Sequence, residues 1–233
     1  MVAKTPVDPI ATSLFGARLQ AVCEEMGASL RRAALSPNIK DRLDYSCAVF
    51  DAGGRLCAQA AHIPVHLGSM AFAMTSIVRD VEWAPGDMLL VNDPFLGGTH
   101  LPDVTLIAPL FDDASAAPVA FVANRAHHAD IGCPRPGSMP FSRTLAEEGL
   151  VIPPTKLVAA GRDNDALLAR LRRGLRNPHA TLADFTAQRS ANLRGLERLA
   201  ALARTASTPG LAARFEDIND YAEQMARRAL ERL

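Results

Sequence analysis

The chain has 233 residues, 48% hydrophobic and 21% charged, with 25 Lys+Arg balancing 25 Asp+Glu. That length holds one large domain or two small ones around a real core, and zero net charge argues against a nucleic-acid backbone or an anionic membrane surface as main partner, since both select basic faces. No apolar run approaches the ~20 residues that span a bilayer and the N-terminus shows no apolar signal core, so the expectation is a soluble cytoplasmic protein with no membrane or nucleic-acid partner.

Asp8-Pro9 predicts a helix start, an N-cap side chain followed by proline at the first helical position. Phe15, Leu19, Val22, Met26 and Leu30 then recur at helical spacing, and Ser36-Pro37 ends the run. The segments 45–50 and 55–59 flank Asp51-Ala-Gly-Gly54 and read as a β-hairpin. In His62-Ile-Pro-Val-His66 the proline argues for extended chain, with both histidines on one face. A helix is expected from about Ser69, with Met70, Met74, Ile77 and Val81 on one side, then a short buried strand over 88–92. The loop 93–103 leads into a strand over 104–111. A return strand from 118 runs on through Asn124, Arg125, His127, His128 and Asp130.

After residue 150 the pattern turns helical: a short helix over 163–171, a long one opened by Thr181-Leu-Ala-Asp184 as a capping box, and a final stripe of Leu211, Phe215, Ile218, Ala222, Met225 and Ala229. The expected architecture over 1–233 is one mixed α/β (α+β) domain. It comprises an N-terminal helix, a mixed sheet containing the central hairpin, and a helical C-terminal third, divided into an α/β part (1–160) and a helical part (161–233).

The chemistry gathers in that hairpin. Pairing Phe111 with Pro118 sets Asp103 opposite Ala126 and brings His100 near Ala129. His100, Asp103 and the His127/His128 pair then meet at the open end. A one-residue slip exchanges which of the two histidines faces inward and keeps the convergence. Two imidazoles and a carboxylate suit Zn²⁺, Mn²⁺ or Fe²⁺ better than Ca²⁺, which prefers oxygen alone. Three protein ligands leave positions for water or a substrate oxygen. Asp130 or the second histidine could orient a ligand or serve as base. The residues alone are equally compatible with hydrogen-bonding turn residues and no metal.

Arg125 suits a substrate carboxylate or carbonyl, or an ion pair with Asp93, Asp103 or Asp130. Cys23, Cys47 and Cys57 read as small buried hydrophobes, and Cys133 as a small residue of a Gly/Pro loop before a ligand or thiolate. His62 and His66 read as structural histidines or a second wall of the cleft, and His179 as surface. No phosphate loop, dinucleotide fingerprint or nucleophile elbow occurs, so the chain shows no recognisable means of binding ATP.

Ser36-Pro-Asn-Ile-Lys, residues 44–51 and 62–70, Asn92-Asp-Pro-Phe-Leu-Gly-Gly-Thr-His-Leu-Pro-Asp103, Ala126-His-His-Ala-Asp-Ile-Gly132 and residues 136–140, in this order, strongly resemble the hydantoinase B/oxoprolinase family, with related subunits in acetone- and acetophenone-type carboxylases. The resemblance implies part of a metal-bearing B subunit in an ATP-dependent enzyme that hydrolyses cyclic amide or imide C–N bonds. A ketone carboxylase subunit or a catalytically silent assembly module are the alternatives. It implies a hetero-oligomer in which an A-type subunit handles ATP, and divalent-metal ligands at His100, Asp103 and His127. Asp130, His128 and Arg125 are then left as candidate catalytic residues. Family B subunits are longer than this chain, and Gly132-Cys133 stands where relatives usually carry two glycines.

Overall fold

The first helix, α1 (Pro9–Ala33), starts where the Asp8 side chain accepts hydrogen bonds from the amides of Ile10 and Ala11. The computed structural model describes residues 8–61, 63, 66–112, 115–135, 141–206 and 208–232. Helix α1 buries the predicted stripe of Phe15, Leu19, Val22, Met26 and Leu30. Ser36-Pro37 does more than end it: Ser36 caps and Pro37 opens a one-turn helix, α2 (Pro37–Lys40).

Seven strands form one sheet: β1 (Tyr45–Asp51), β2 (Leu56–Ala61), β3 (Met88–Val91), β4 (Asp103–Leu110), β5 (Ala120–His127), β6 (Thr155–Ala159) and β7 (Arg162–Asp163). Their order is β2-β1-β5-β4-β3-β6-β7. Every pairing is antiparallel, where the sequence led us to expect a mixed sheet. Short turns join β1 to β2, β4 to β5 and β6 to β7, and such turns can only return a strand antiparallel. The 160/161 division falls in the turn between β6 and β7, so β6 belongs to the α/β part and the short β7 opens the otherwise helical remainder.

Strands β1, β4 and β5 are buried at every position, so both sheet faces are covered and alternation alone decides which layer a side chain meets. Val104, Leu106, Ala108, Val122 and Ala126 face the larger core with α1, α6 (Pro178–Ala206) and α7 (Thr208–Leu230). Ile107, Phe121 and Ala123 face a smaller core under α3 (His66–Asp80), with Met70, Met74 and Ile77.

Several boundaries move for identifiable reasons. Helix α3 begins at His66 rather than near Ser69. The short helices are α4 (Leu145–Glu148) and α5 (Asp165–Gly174), the latter capped by Asn164. Helix α6 begins at Pro178, with the Asn177 side chain accepting from Ala180 N–H. Thr181 and Asp184 therefore lie inside the helix rather than forming its capping box; Asp184 accepts instead from the amides of Leu35 and Ser36 after α1. Leu211 and Phe215 on α7 are buried, while Ala222, Met225 and Ala229 of the same stripe are exposed. No helix among the described residues is long and apolar enough to cross a membrane.

Candidate metal centre

The central hairpin pairs Asp103 with His127 and Leu110 with Ala120, one residue away from the register expected from Phe111 and Pro118. Val119 N–H closes on the Leu110 carbonyl at 2.8 Å, so the turn is wider by one position. That slip settles the choice between neighbouring histidines. Directly opposed residues on antiparallel strands share a face, so His127 and Asp103 both project to the α3 side. His128 projects to α6, its Nε2 3.0 Å from Gln188 Oε1 and its ring 4.4 Å from that of Phe185.

His100 reaches the same point from the loop before β4. Its Nε2 lies 3.1 Å from Asp103 Oδ1 and 3.2 Å from His127 Nδ1, and His127 Nδ1 lies 3.1 Å from Asp103 Oδ1. The three atoms make a nearly equilateral triangle. Ligands about 2.0–2.2 Å from one cation stand roughly 3–3.5 Å apart at angles near 90–110°, so the triangle has the dimensions of three corners of a coordination shell. Asp103 Oδ1 is buried between the imidazole nitrogens of His100 and His127, each 3.1 Å away, and a cation among the three atoms would compensate the buried carboxylate charge. His100, Asp103 and His127 thus fit a divalent ion by geometry and by donor type. His100 is the open edge, its side chain 31% exposed, while Asp103 and His127 are buried.

The electrostatics follow from the same contacts. Burial works to raise the Asp103 pKa. Contacts from His100, His127, His66 and Thr99 outweigh it and hold the carboxyl well below the usual range. The Asp103 carboxylate beside His100 raises that imidazole's pKa against the opposing effect of burial.

Two further groups complete the surroundings. His66, at the start of α3, is buried, with Nδ1 3.0 Å from Ser46 Oγ and Nε2 3.4 Å from Asp103 Oδ2. Asp44, just before β1, places Oδ2 3.5 Å from His127 Nδ1 and Oδ1 3.9 Å from His66 Nε2. Asp44 escaped the sequence reading because β1 pairs with β5, a strand far along the chain, and only that pairing brings it to His127.

The loop carrying His100 is pinned on all sides. Leu101, between His100 and Asp103, donates its N–H to Glu148 Oε1 at 2.8 Å, and its carbonyl accepts from Asn92 Nδ2 at 2.8 Å. The Asp93 side chain caps the 3-10 turn Pro94–Leu96. Gly97 has φ 95°, and any β-carbon there would overlap Ala73 of α3. A β-carbon on Gly98 would lie 2.6 Å from the Asn92 carbonyl oxygen. The two glycines therefore let the loop lie close against α3 and against the chain just after β3.

The remaining candidates have other employment. Asp130, read as a base or ligand-orienting group, accepts from the amides of Gly132, Arg176 and Asn177 and organises the chain entering α6. His128 is on the opposite sheet face. Asp93 is a turn cap, and Arg125 is buried with three uncharged oxygen partners. Cys133 Sγ donates to the Arg135 carbonyl; Cys57 is only half-buried, unlike Cys23 and Cys47. Gln188 and Asn192 are buried, tying α6 to the β4 carbonyls of Val104 and Leu106. His62 and residues 136–140 lie outside the described residues.

A family model described as hydantoinase B/oxoprolinase matches residues 8–233. An uncharacterised protein of Methanocaldococcus jannaschii is 40% identical over 224 residues, 94% of this chain and 39% of that protein. The 5-oxoprolinase of Saccharomyces cerevisiae is 39% identical over 211 residues, 85% of this chain and 16% of that protein. In solved structures, the ATP-dependent caprolactamase of Pseudomonas jessenii matches with TM-score 0.86 and 29% identity over 97% of this chain and 39% of that one. A nucleotide-free acetone carboxylase matches with TM-score 0.79 over 90% of this chain and 28% of that one, a likeness in fold alone at 19% identity. The chain therefore spans no more than 39% of the length of any of these proteins.

Proposed function

The chain belongs to the hydantoinase B/oxoprolinase family, and on that premise we propose that it carries the metal centre of a B-type subunit in an ATP-dependent hydrolase opening cyclic amide C–N bonds. The observation that carries this reading is the triangle of His100 Nε2, Asp103 Oδ1 and His127 Nδ1, with edges of 3.1–3.2 Å and a buried carboxylate oxygen at one corner. A divalent ion held there, Zn²⁺, Mn²⁺ or Fe²⁺, supplies Lewis acidity toward a carbonyl oxygen or lowers the pKa of water toward ~7.

The chain's own residues do the rest. Asp103 is fixed on its outer oxygen by Thr99 and faced by His66, so its inner oxygen stays aimed at the triangle. His127 is fixed by strand pairing, and its N–H donates to the Asp44 carbonyl at 3.0 Å. The Asp44 carboxylate, partly exposed, stands beside the triangle as a fourth donor group and its second carboxylate. His100, at the open edge, faces the side from which a small cyclic amide or imide enters. ATP is used by an A-type partner subunit in a hetero-oligomer, which activates the amide oxygen. Four free thiols accord with a reducing, cytoplasmic setting.

The test is metal content of chain purified without chelator, beside a His100→Ala/Asp103→Ala double variant. Near-stoichiometric Zn, Mn or Fe in the parent and its loss in the folded variant are expected. A parent without metal when separately offered all three ions overturns the reading.

A further inference from the structure

Arg125 is the bulkiest of the fully buried side chains, 1% exposed, and the surroundings of its guanidinium are unusual. Among the described residues no carboxylate lies within ion-pair distance of it. Its partners are Thr105 Oγ1 at 2.8 Å from Nε, Ser69 Oγ at 2.6 Å from one terminal nitrogen and the Gly97 carbonyl at 2.9 Å from the other. Burial accordingly lowers its pKa, with the Asp103 charge acting against that.

Each partner lies one short step from a group of the metal triangle or its surroundings. Thr105 follows Asp103 by two residues on the same face of β4, and Gly97 precedes His100 by three residues. Ser69 is one helical turn beyond His66 on α3. Arg125 itself precedes His127 by two residues on the same face of β5, directly opposite Thr105. One planar fork thus joins the four segments that bring His66, His100, Asp103 and His127 together.

We propose, resting on the metal reading above, that Arg125 is the positioning residue of the metal centre, setting the spacing of its ligands before an ion binds. Its charge has the wrong sign to attract a cation, so its contribution is geometric. Its burial takes it out of reach of a substrate carboxylate, the role its residue type first suggested. A guanidinium suits the task because its donors leave one plane in fixed directions, which the rotatable ammonium of lysine does not reproduce. Gly97 is held from both sides, by Arg125 through its carbonyl and by Ala73 beneath it, so the fork fixes how far the His100 loop stands from α3.

The experiment uses the full chain, stripped of metal and titrated with Co²⁺, whose visible spectrum reports ligand geometry. The variants are Arg125→Lys, which keeps the charge and loses the fork, and Thr105→Val and Ser69→Ala, which each remove one acceptor. Thermal melting of the metal-free proteins runs alongside. The inference expects Co²⁺ affinity to fall roughly 10–100-fold in Arg125→Lys, the usual scale for groups supporting metal ligands. It expects smaller losses in the single-acceptor variants, with an altered Co²⁺ spectrum in all three.

Parental affinity and spectrum in Thr105→Val and Ser69→Ala, even with lowered melting temperatures, overturn it: Arg125 is then only a clasp of the fold. Should Arg125→Lys fail to fold, those two variants decide alone. A parent that takes up no Co²⁺ overturns the metal reading itself, and this inference with it.

Discussion

His127 and His128 are adjacent in sequence and chemically identical, yet the fold gives them opposite tasks, which makes a sharp test. His128 is buried between β5 and α6, with one ring nitrogen on Gln188 and its face on Phe185. His128→Ala removes a buried ring, costing about 1.5–2 kcal/mol, and leaves the side-chain oxygen Oε1 of Gln188 unpaired, for about 1–2 kcal/mol more. A total near 3 kcal/mol, with a urea slope of about 2–3 kcal/mol per molar for a chain of this size, lowers the unfolding midpoint by roughly 1–1.5 M. Metal stoichiometry stays parental, because the ring never faces the triangle. His127→Ala does the reverse: metal content falls toward zero, and the metal-free midpoint moves less than half as far. The assay is urea unfolding of chelator-treated protein by circular dichroism, paired with metal analysis of untreated protein. Loss of metal from His128→Ala with retention by His127→Ala would refute both the register and the sidedness argued from it.

Three further outcomes are expected. Asn92 is fully buried and holds the carbonyls of Leu101 and Leu150 and the amide of Ile152; Asn92→Ala orphans all three and costs about 3–5 kcal/mol in urea unfolding, so a loss under about 1 kcal/mol counts against the pinned loop. Gly97→Ala combines a strained φ of 95° with overlap on Ala73, and metal analysis should show a several-fold loss of bound ion in protein whose circular dichroism is parental. Burial works to raise the Asp87 pKa, but Lys156 at 2.8 Å and the amides of Ala160 and Ala84 prevail and hold it below the ordinary carboxylate value. The folded pKa thus lies below the unfolded value of about 3.9, so this contribution is complete above that pH and disappears as pH falls through the depressed pKa. The stability gap between parent and Asp87→Asn should therefore shrink between about pH 5 and pH 2; a gap independent of pH contradicts the assignment.

Local pattern carried much of this molecule. The α1 stripe, the β1–β2 hairpin, the β4–β5 hairpin and the convergence of His100 and Asp103 with the later histidines are all written in spacing and turn residues. Their forces act within a few residues: caps, proline stops, alternation. What spacing left open was decided at long range. Strands β6 and β7 are short and weakly patterned, and they form because β3 offers an edge to pair with. Helix α6 begins at Pro178 because the Asn177 side chain accepts from Ala180 N–H, while Asp130, from before α4, holds the amides of Arg176 and Asn177 just ahead of the helix.

The sequence by itself determined that a His/Asp cluster would form at the open end of a hairpin, because two strands joined by a turn must bring their far ends together whatever their exact register. Only the tertiary structure decided which histidine joins it. A one-residue shift in an antiparallel pair reverses every side chain, and that shift depends on how nine residues close between Leu110 and Ala120. Only the tertiary structure, too, brought Asp44 and His66 to the cluster and set Arg125 among its supports. Those meetings depend on β1 pairing with β5 and on α3 packing against the sheet, contacts whose partners lie too far apart in the chain for any local pattern to specify.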